Sequence, residues 1–458
     1  MKKTGLILFV LLTSLSIYAQ DISGKWNGIL KVQGTQLRLV FNITKTNNGY
    51  SSTMDSPDQG AKGIPVTTTS FDNSILKLEV SNAGIKYEGT LDKEGAFNGT
   101  FKQGGQSFPL ILTKKKIEKE IVVRPQEPIK PYPYYSEEVK FENKKDKIEL
   151  AGTLTLPKKN GEFPAVILIT GSGPQNRDEE LFGHKPFLVL SDFLTKNGIA
   201  VLRFDDRGTA KSTGDFKKAT TFDFAKDVEY AIEYLQKRKE INKNKIGLIG
   251  HSEGGIIATI IASENKDIDF IVLMASSTLR GDKLLLLQKY KIETQMGVNK
   301  QLVDNNQQIF AGAYKIILNE SLEKEVLSDT LSHYFLSKYG KALPENKKNA
   351  LINQLTSTWM INFIRLDPAV YLEKVTCPIL AINGNKDLQV PSKENLEVIE
   401  NIFRKSENTK VKIKELEGLN HLFQECETGA PNEYATIEQT ISPIALKEIM
   451  NWINIQVK

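Results

Sequence analysis

Hydrophobic and polar positions change rhythm twice along this chain. From Asp21 to Thr113 they alternate with a period of two. Leu37-Arg38-Leu39-Val40-Phe41-Asn42-Ile43 and Ile75-Leu76-Lys77-Leu78-Glu79-Val80 each put their apolar side chains on one face of an extended backbone. Turn-forming runs such as Asn47-Asn48-Gly49 and Asp92-Lys93-Glu94-Gly95 separate such segments. The pattern predicts a small all-β domain, an antiparallel sandwich or barrel, over residues 21–113. Gly24-Lys25-Trp26 opens it, and Gly99-Thr100-Phe101 has a similar strand-like tone. A tryptophan at such a start is more often a core plug than a ligand platform. Residues 114–135 then carry Lys114-Lys115-Lys116 and the prolines Pro125, Pro128, Pro131 and Pro133. Prolines at this density favour extended backbone and give a sheet no donors, so the stretch is expected to be an interdomain linker.

The second change comes at Ser136, where residues 136–458 form a predicted second domain. Alternating segments near Glu138–Glu142 and Ile148–Leu156 lead into Ala165-Val166-Ile167-Leu168-Ile169, which is apolar at every position. Continuous apolar runs recur at Ile199–Phe204, Ile246–Ile249, Phe270–Met274 and Ile379–Ile382, with amphipathic segments such as Phe222–Lys237 between them. Strands apolar on both faces, alternating with helices, predict an α/β domain with a mostly parallel, doubly wound sheet. Between Ala275 and Leu366 the alternation stops, and only helical patterns occur, as at Leu284–Gln295 and Lys347–Ile364. An insertion there, about residues 278–366, reads as a helical lid; an elaboration packed away from any site is the plainer alternative.

Composition changes this picture little. Hydrophobic residues make up 40% and charged residues 25% of 458 positions, and the net charge is only +5. No basic stripe interleaved with aromatics occurs, so nucleic acid is not an expected partner. The start is more telling: Lys2 and Lys3, an apolar run from Leu6 to Leu12, then Tyr18-Ala19-Gln20. This reads as a secretory signal over residues 1–19 and predicts export to the periplasm or beyond. An uncleaved anchor is the alternative, because Ile17 is not the small residue preferred before a cut. The apolar run is shorter than the ~20 residues of a spanning helix, and no stable membrane association is expected after cleavage. Cys377 and Cys426 are the two cysteines. One should begin a buried strand and the other lie near the opposite sheet end, roughly 20 Å away, so free thiols are expected over a disulfide. Neither has a Cys or His neighbour at ligand spacing, so no metal site and no cofactor are expected.

The candidate chemistry centres on Gly250-His251-Ser252-Glu253-Gly254. A G-x-S-x-G match alone is weak, arising by chance in about one of seven chains of this length. Its setting is stronger: it follows an apolar strand and opens the helical run Gly255-Ile256-Ile257-Ala258-Thr259-Ile260. That strand–turn–helix exposes a serine hydroxyl on a tight turn flanked by Gly250, His251 and Gly254. A serine needs a base to become a nucleophile. Of the histidines His184, His251, His333 and His421, the last lies just past the predicted strand Val411–Leu416, where a base is required. Asp387 follows the strand ending at Ile382 and falls between serine and histidine in chain order, placed to orient the imidazole; an Asx-turn is its plain alternative. The expected oxyanion donors are the N–H of Glu253 and, from the loop Thr170-Gly171-Ser172-Gly173-Pro174, that of Ser172, with Gly173 as fallback.

These residues resemble the bacterial α/β-hydrolases of the serine-aminopeptidase-like branch, and among them the carboxylesterases. The likeness runs from about Ser136 to Trp452. It includes Arg203-Phe204-Asp205-Asp206-Arg207-Gly208, Lys211-Ser212-Thr213-Gly214, the serine turn, Gly384–Pro391 and Gly418–Gln424. It implies an α/β-hydrolase fold and a live Ser252–Asp387–His421 triad, and says less about substrate. The expected reaction is hydrolysis of a small or medium carboxylic ester through an acyl-enzyme on Ser252. An exopeptidase acting on short peptides is the alternative. It would need carboxylates for a substrate ammonium, for which Asp178-Glu179-Glu180 is the candidate; a solvated first helical turn explains that run equally simply. A carbohydrate-binding role for the N-terminal region finds few aromatics suited to stacking.

Overall fold

A computed structural model of the chain describes residues 21–32, 35–59, 61–103, 106–117, 124–406 and 408–458. The leader-like residues 1–19 lie outside these. The chain divides into two compact units, Met1–Ile121 and Val122–Lys458.

The first unit is all β. Strands β1 (Gly24–Val32), β2 (Thr35–Thr46), β3 (Gly49–Ser56) and β4 (Ala61–Pro65) form one antiparallel meander. Strands β5 (Thr68–Asp72), β6 (Ile75–Val80), β7 (Ile85–Leu91), β8 (Phe97–Gln103) and β9 (Gln106–Leu112) form a second. Reciprocal bonds between Asn27 and Thr113 tie the start of the first sheet to the end of the second. The alternating side chains meet inside: Leu76, Leu78 and Val80 pack with Phe41, Phe97 and Trp26. Trp26 is a core plug, 2% exposed, with its indole N–H donated to Ile22 O and its ring on Phe97.

The second unit is built on an eight-stranded sheet. Its elements are β10 (Tyr135–Asn143), β11 (Ile148–Leu156), β12 (Phe163–Ile169), α1 (Pro186–Lys196), β13 (Ala200–Phe204), α2 (Thr221–Gln236), β14 (Ile241–His251), α3 (Glu253–Glu264) and β15 (Phe270–Met274). Helices α4 (Gly281–Gln295), α5 (Lys300–Ile317), α6 (Lys324–Tyr339), α7 (Glu345–Leu355), α8 (Thr358–Arg365) and α9 (Ala369–Leu372) follow, then β16 (Ile379–Gly384), α10 (Ser392–Phe403), β17 (Val411–Leu416) and α11 (Pro443–Val457). The sheet order is β10-β11-β13-β12-β14-β15-β16-β17, antiparallel at the first two pairings and parallel thereafter. This order, with helices on both faces, is the α/β-hydrolase fold.

The continuous apolar runs are the central strands, and their alternate residues feed two cores. On β12, Ala165, Ile167 and Ile169 face the core that includes Val228 of α2 and Ile257 of α3. Val166 and Leu168 face the other, with Leu190 of α1 and Ile449 of α11. A parallel sheet covered on both faces needs that pattern. Helices α4–α8 fall between β15 and β16, and α5–α8 form a core of their own around Leu331, Phe335 and Ile317. The pattern at Lys347–Ile364 is two helices, because the Ser357 hydroxyl accepts from Met360 N–H and starts α8 afresh. No helix among the described residues is long and apolar enough to cross a membrane.

The proline-bearing stretch departs from the expected linker. Its prolines keep residues 124–134 out of any helix or strand. Arg124, however, is buried and donates to the carbonyls of Phe182, Gly183, Ala435 and Ile437, while the Gln126 amide bridges Thr440 and Ile441. From Arg124 onward the chain is already part of the second unit.

Candidate active site

Three loops at the C-terminal ends of parallel strands carry the candidate residues. Ser252 stands between β14 and α3 at φ 53°, ψ −118°, a backbone that costs a non-glycine residue energy and turns its side chain outward. The turn is tight enough to exclude side chains on both flanks. A Cβ on Gly250 would lie 2.1 Å from Gly254 O, and one on Gly254 would lie 2.1 Å from Ile169 O.

Asp387 follows β16. Its Oδ1 accepts the backbone N–H groups of Gln389 and Val390, each at 2.8 Å, and its Oδ2 lies 2.7 Å from His421 Nδ1. One carboxylate therefore closes the Asx-turn and holds the His421 ring. Acceptance at Oδ2 places a proton on Nδ1 and leaves Nε2 free of the acid. The loops carrying Asp387 and His421 touch directly: Lys386 N–H donates to Leu419 O. Ser252 and His421 share the wall of one cavity of about 390 Å³, and no direct hydrogen bond joins the hydroxyl to the imidazole. Contacts of this kind commonly tighten only when substrate arrives.

Glu253 and Ser172 line the same cavity as Ser252. Gly171 backs directly onto the serine: a Cβ there would be 3.2 Å from Ser252 Cβ. The loop from Gly171 to Glu179 is held by acids whose role the sequence did not reveal. Asp206 accepts from Thr170 Oγ1 and Gln175 N–H. Asp205 takes a two-pronged bond from the Arg177 guanidinium and another from its N–H. Asp178 pairs with Arg203. These partners come from the Arg203–Arg207 run at the end of β13. Burial pushes the Asp206 carboxyl up to about 8; Glu179 and Glu253 push it the same way, against the bonds from Thr170 and Gln175.

Glu179 is 2% exposed, sits at φ 51°, and its Oε1 accepts from Gly171 N–H at 2.7 Å and faces His251 Nδ1 at 2.9 Å. The acidic run is thus neither a solvated first turn nor a free clamp. Helix α1 begins only at Pro186, Asp178 and Glu179 are paired, and Glu180 is exposed. The other carboxylate on the cavity, Glu253, is held by Thr221 Oγ1 and the Trp359 indole N–H, and burial raises it above the usual carboxylate range.

The remaining histidines are structural. His184 is fully buried between Thr440 and Tyr434 O, and burial, with Arg124 nearby, lowers it to about 4. His333 is exposed on α6 and its ring meets its own helix backbone. Among the described residues no group of His, Cys, Asp and Glu gathers to hold a metal, and both cysteines are free.

Fold and site together define a hydrolase of the α/β class. The chain belongs to the serine aminopeptidase, S33, family, whose model matches residues 187–427. It is 27% identical over 438 residues to esterase EstD of Thermotoga maritima, covering 95% of this chain and 87% of that protein. It is also 24% identical over 252 residues to the uncharacterized protein PA2218 of Pseudomonas aeruginosa, across 52% of this chain and 64% of that one. Among solved structures it resembles esterase Pf2001 of Pyrococcus furiosus, at 16% identity and a TM-score of 0.44, over 75% of this chain and all of that one.

Proposed function

We propose that the protein is a serine hydrolase that cleaves carboxylic esters. Ser252 attacks the ester carbonyl while His421 Nε2 takes the hydroxyl proton. Asp387 keeps the ring in the required tautomer and stabilises the imidazolium. The N–H groups of Glu253 and Ser172, with Gly173 as fallback, receive the developing oxyanion. His421 then gives its proton to the leaving alkoxide, and water releases the acid from the acyl-serine by the reverse sequence.

The observation that carries this reading over the exopeptidase is the state of the cavity's acids. A substrate ammonium needs a carboxylate with free acceptor capacity facing it. Of the two that line the cavity, Glu253 is held at both oxygens by protein donors, and Glu179 spends Oε1 on Gly171 N–H and the His251 ring. Among the described residues the rest of the wall carries no further carboxylate: it includes the apolar Leu284, Leu285, Met360 and Phe363, the amides of Gln288 and Gln354 and the hydroxyls of Ser277 and Tyr434. Such a wall suits an uncharged acyl ester, and helices α4, α7 and α8 serve as its lid. Export through residues 1–19 belongs to the same proposal. The test is a parallel assay of the purified protein and Ser252→Ala on short p-nitrophenyl esters and on aminoacyl amides. Ester turnover that vanishes in the variant is expected; dominant amide turnover selects the exopeptidase, and a variant that keeps substantial activity removes the triad.

A further inference from the structure

The side chain of His251, just ahead of the nucleophile, is not free. Its Nδ1 faces Glu179 Oε1 at 2.9 Å and its Nε2 faces the backbone oxygen of His421 at 2.9 Å. The ring is 5% exposed and lies beside the His421 ring, centroids 4.8 Å apart. A carbonyl oxygen only accepts, and Glu179 Oε1 already accepts from Gly171 N–H. A neutral imidazole has one donor nitrogen and one acceptor nitrogen, so between two acceptors it would leave two lone pairs opposed in a dry site. An imidazolium has two donors and satisfies both.

We propose that Glu179 and His251 form a buried carboxylate–imidazolium pair that positions three catalytic loops at once: the oxyanion loop through Gly171 N–H, the nucleophile turn through His251 itself, and the base loop through the His421 carbonyl. The pair rests on the proposed roles of Ser252 and His421 and takes no part in the bonds made and broken. Both residues are positioning residues. Burial alone disfavours charge on His251, but the Glu179 carboxylate and the His421 carbonyl outweigh it and hold the ring above the ordinary imidazole value. Asp387 acts in the same direction, and Phe423 meets the ring edge-on. The bond to Gly171 has a second effect. It occupies the Gly171 N–H, so the next one along the loop, on Ser172, is the one left for an oxyanion.

The pair's charge state is measurable without turnover. In the full-length protein with 15N-labelled histidine, NMR at pH 8 should show one imidazolium with two protected N–H protons. It should be absent from His251→Gln and become neutral in Glu179→Gln. A neutral His251 ring in the unaltered protein at that pH overturns the proposal, whatever becomes of the variants. In folded Glu179→Gln, kcat for an ester should fall about ten- to hundred-fold with KM nearly unchanged, the signature of misplaced groups rather than lost binding. Glu179→Asp should restore part of both the imidazolium signal and kcat. An unchanged kcat in Glu179→Gln overturns the positioning role. The NMR result does not depend on Ser252, so residual activity in Ser252→Ala would fail the reading of the site and leave the pair standing.

Discussion

Trp359 donates its indole N–H to both carboxylate oxygens of Glu253, at 2.9 and 3.1 Å, and so fastens α8 to the residue next to Ser252. The backbone N–H of Glu253 is a proposed oxyanion donor, and its side chain is the handle by which the helical insertion holds it. Trp359→Phe keeps the aromatic packing on Phe363 and removes only the donor. A hydrogen bond to a buried carboxylate contributes about 1.5–3 kcal/mol. The variant should lose roughly that much stability in urea titrations and about ten-fold in kcat/KM. Unchanged values for both would separate the insertion from the reaction.

Asp387→Asn tests the orienting acid with little change of shape. The amide oxygen can keep the bonds from Gln389 and Val390 that Oδ1 now accepts. The amide nitrogen then faces His421 Nδ1 as a donor, which drives the ring to the tautomer with its proton on Nε2. That ring cannot take a proton from serine. A loss of kcat of about 10³–10⁴ is expected, with circular dichroism unchanged.

Asp206 links loop order to pH. Its carboxyl, ordinarily 3.8, stands at about 8 in the folded protein. A raised carboxyl pKa contributes stability that is complete below the unfolded value and is lost as pH rises through the folded one. From about pH 4 to pH 8 this group alone should therefore lower stability as pH increases. Asp206→Asn, which cannot ionise, should flatten that part of the profile in denaturant titrations across the range. A slope as steep as that of the unaltered protein would show that Asp206 is charged throughout.

Gly384→Ala probes the contact between the acid and base loops. An added Cβ would lie 2.1 Å from Leu419 O, a backbone atom that moves only with its loop. The loops must separate, and with them Asp387 and His421. Overpacking of this kind costs about 1–3 kcal/mol. Ester turnover should fall much further than the melting temperature suggests, measured on the same folded sample.

The proposed triad was readable because each member follows a strand that the apolar pattern marks, in the order Ser252, Asp387, His421. The sheet was legible for the same reason: strands buried on both faces are apolar throughout. What the pattern hid was the work of buried charges. Asp178-Glu179-Glu180 reads in sequence like any solvated acidic run, and its basic partners lie far along the chain, Arg203 in β13 and His251 at the serine turn. Arg203, Asp205 and Asp206 entered only as part of a resemblance, with no stated task. A signal existed in His251: a side chain between a strand end and a nucleophile turn has nowhere exposed to go, and a buried imidazole needs partners. The proline-rich stretch misled in the opposite way. Prolines exclude regular structure but say nothing about whether irregular backbone is bound to a domain, and a single arginine decided that.

Arg124 also sets where the catalytic part of this chain can be cut. A truncated protein beginning at Tyr135, the start of the eight-stranded sheet, would contain every strand and helix of the second unit and all three proposed triad residues. It would lack the guanidinium that gathers the carbonyls of Phe182, Gly183, Ala435 and Ile437. Phe182 and Tyr434, on those same turns, are part of the cavity wall. Dissection at the sheet boundary would yield a folded remnant with a slack substrate wall, whereas a chain that starts ahead of Arg124 keeps its own buttress.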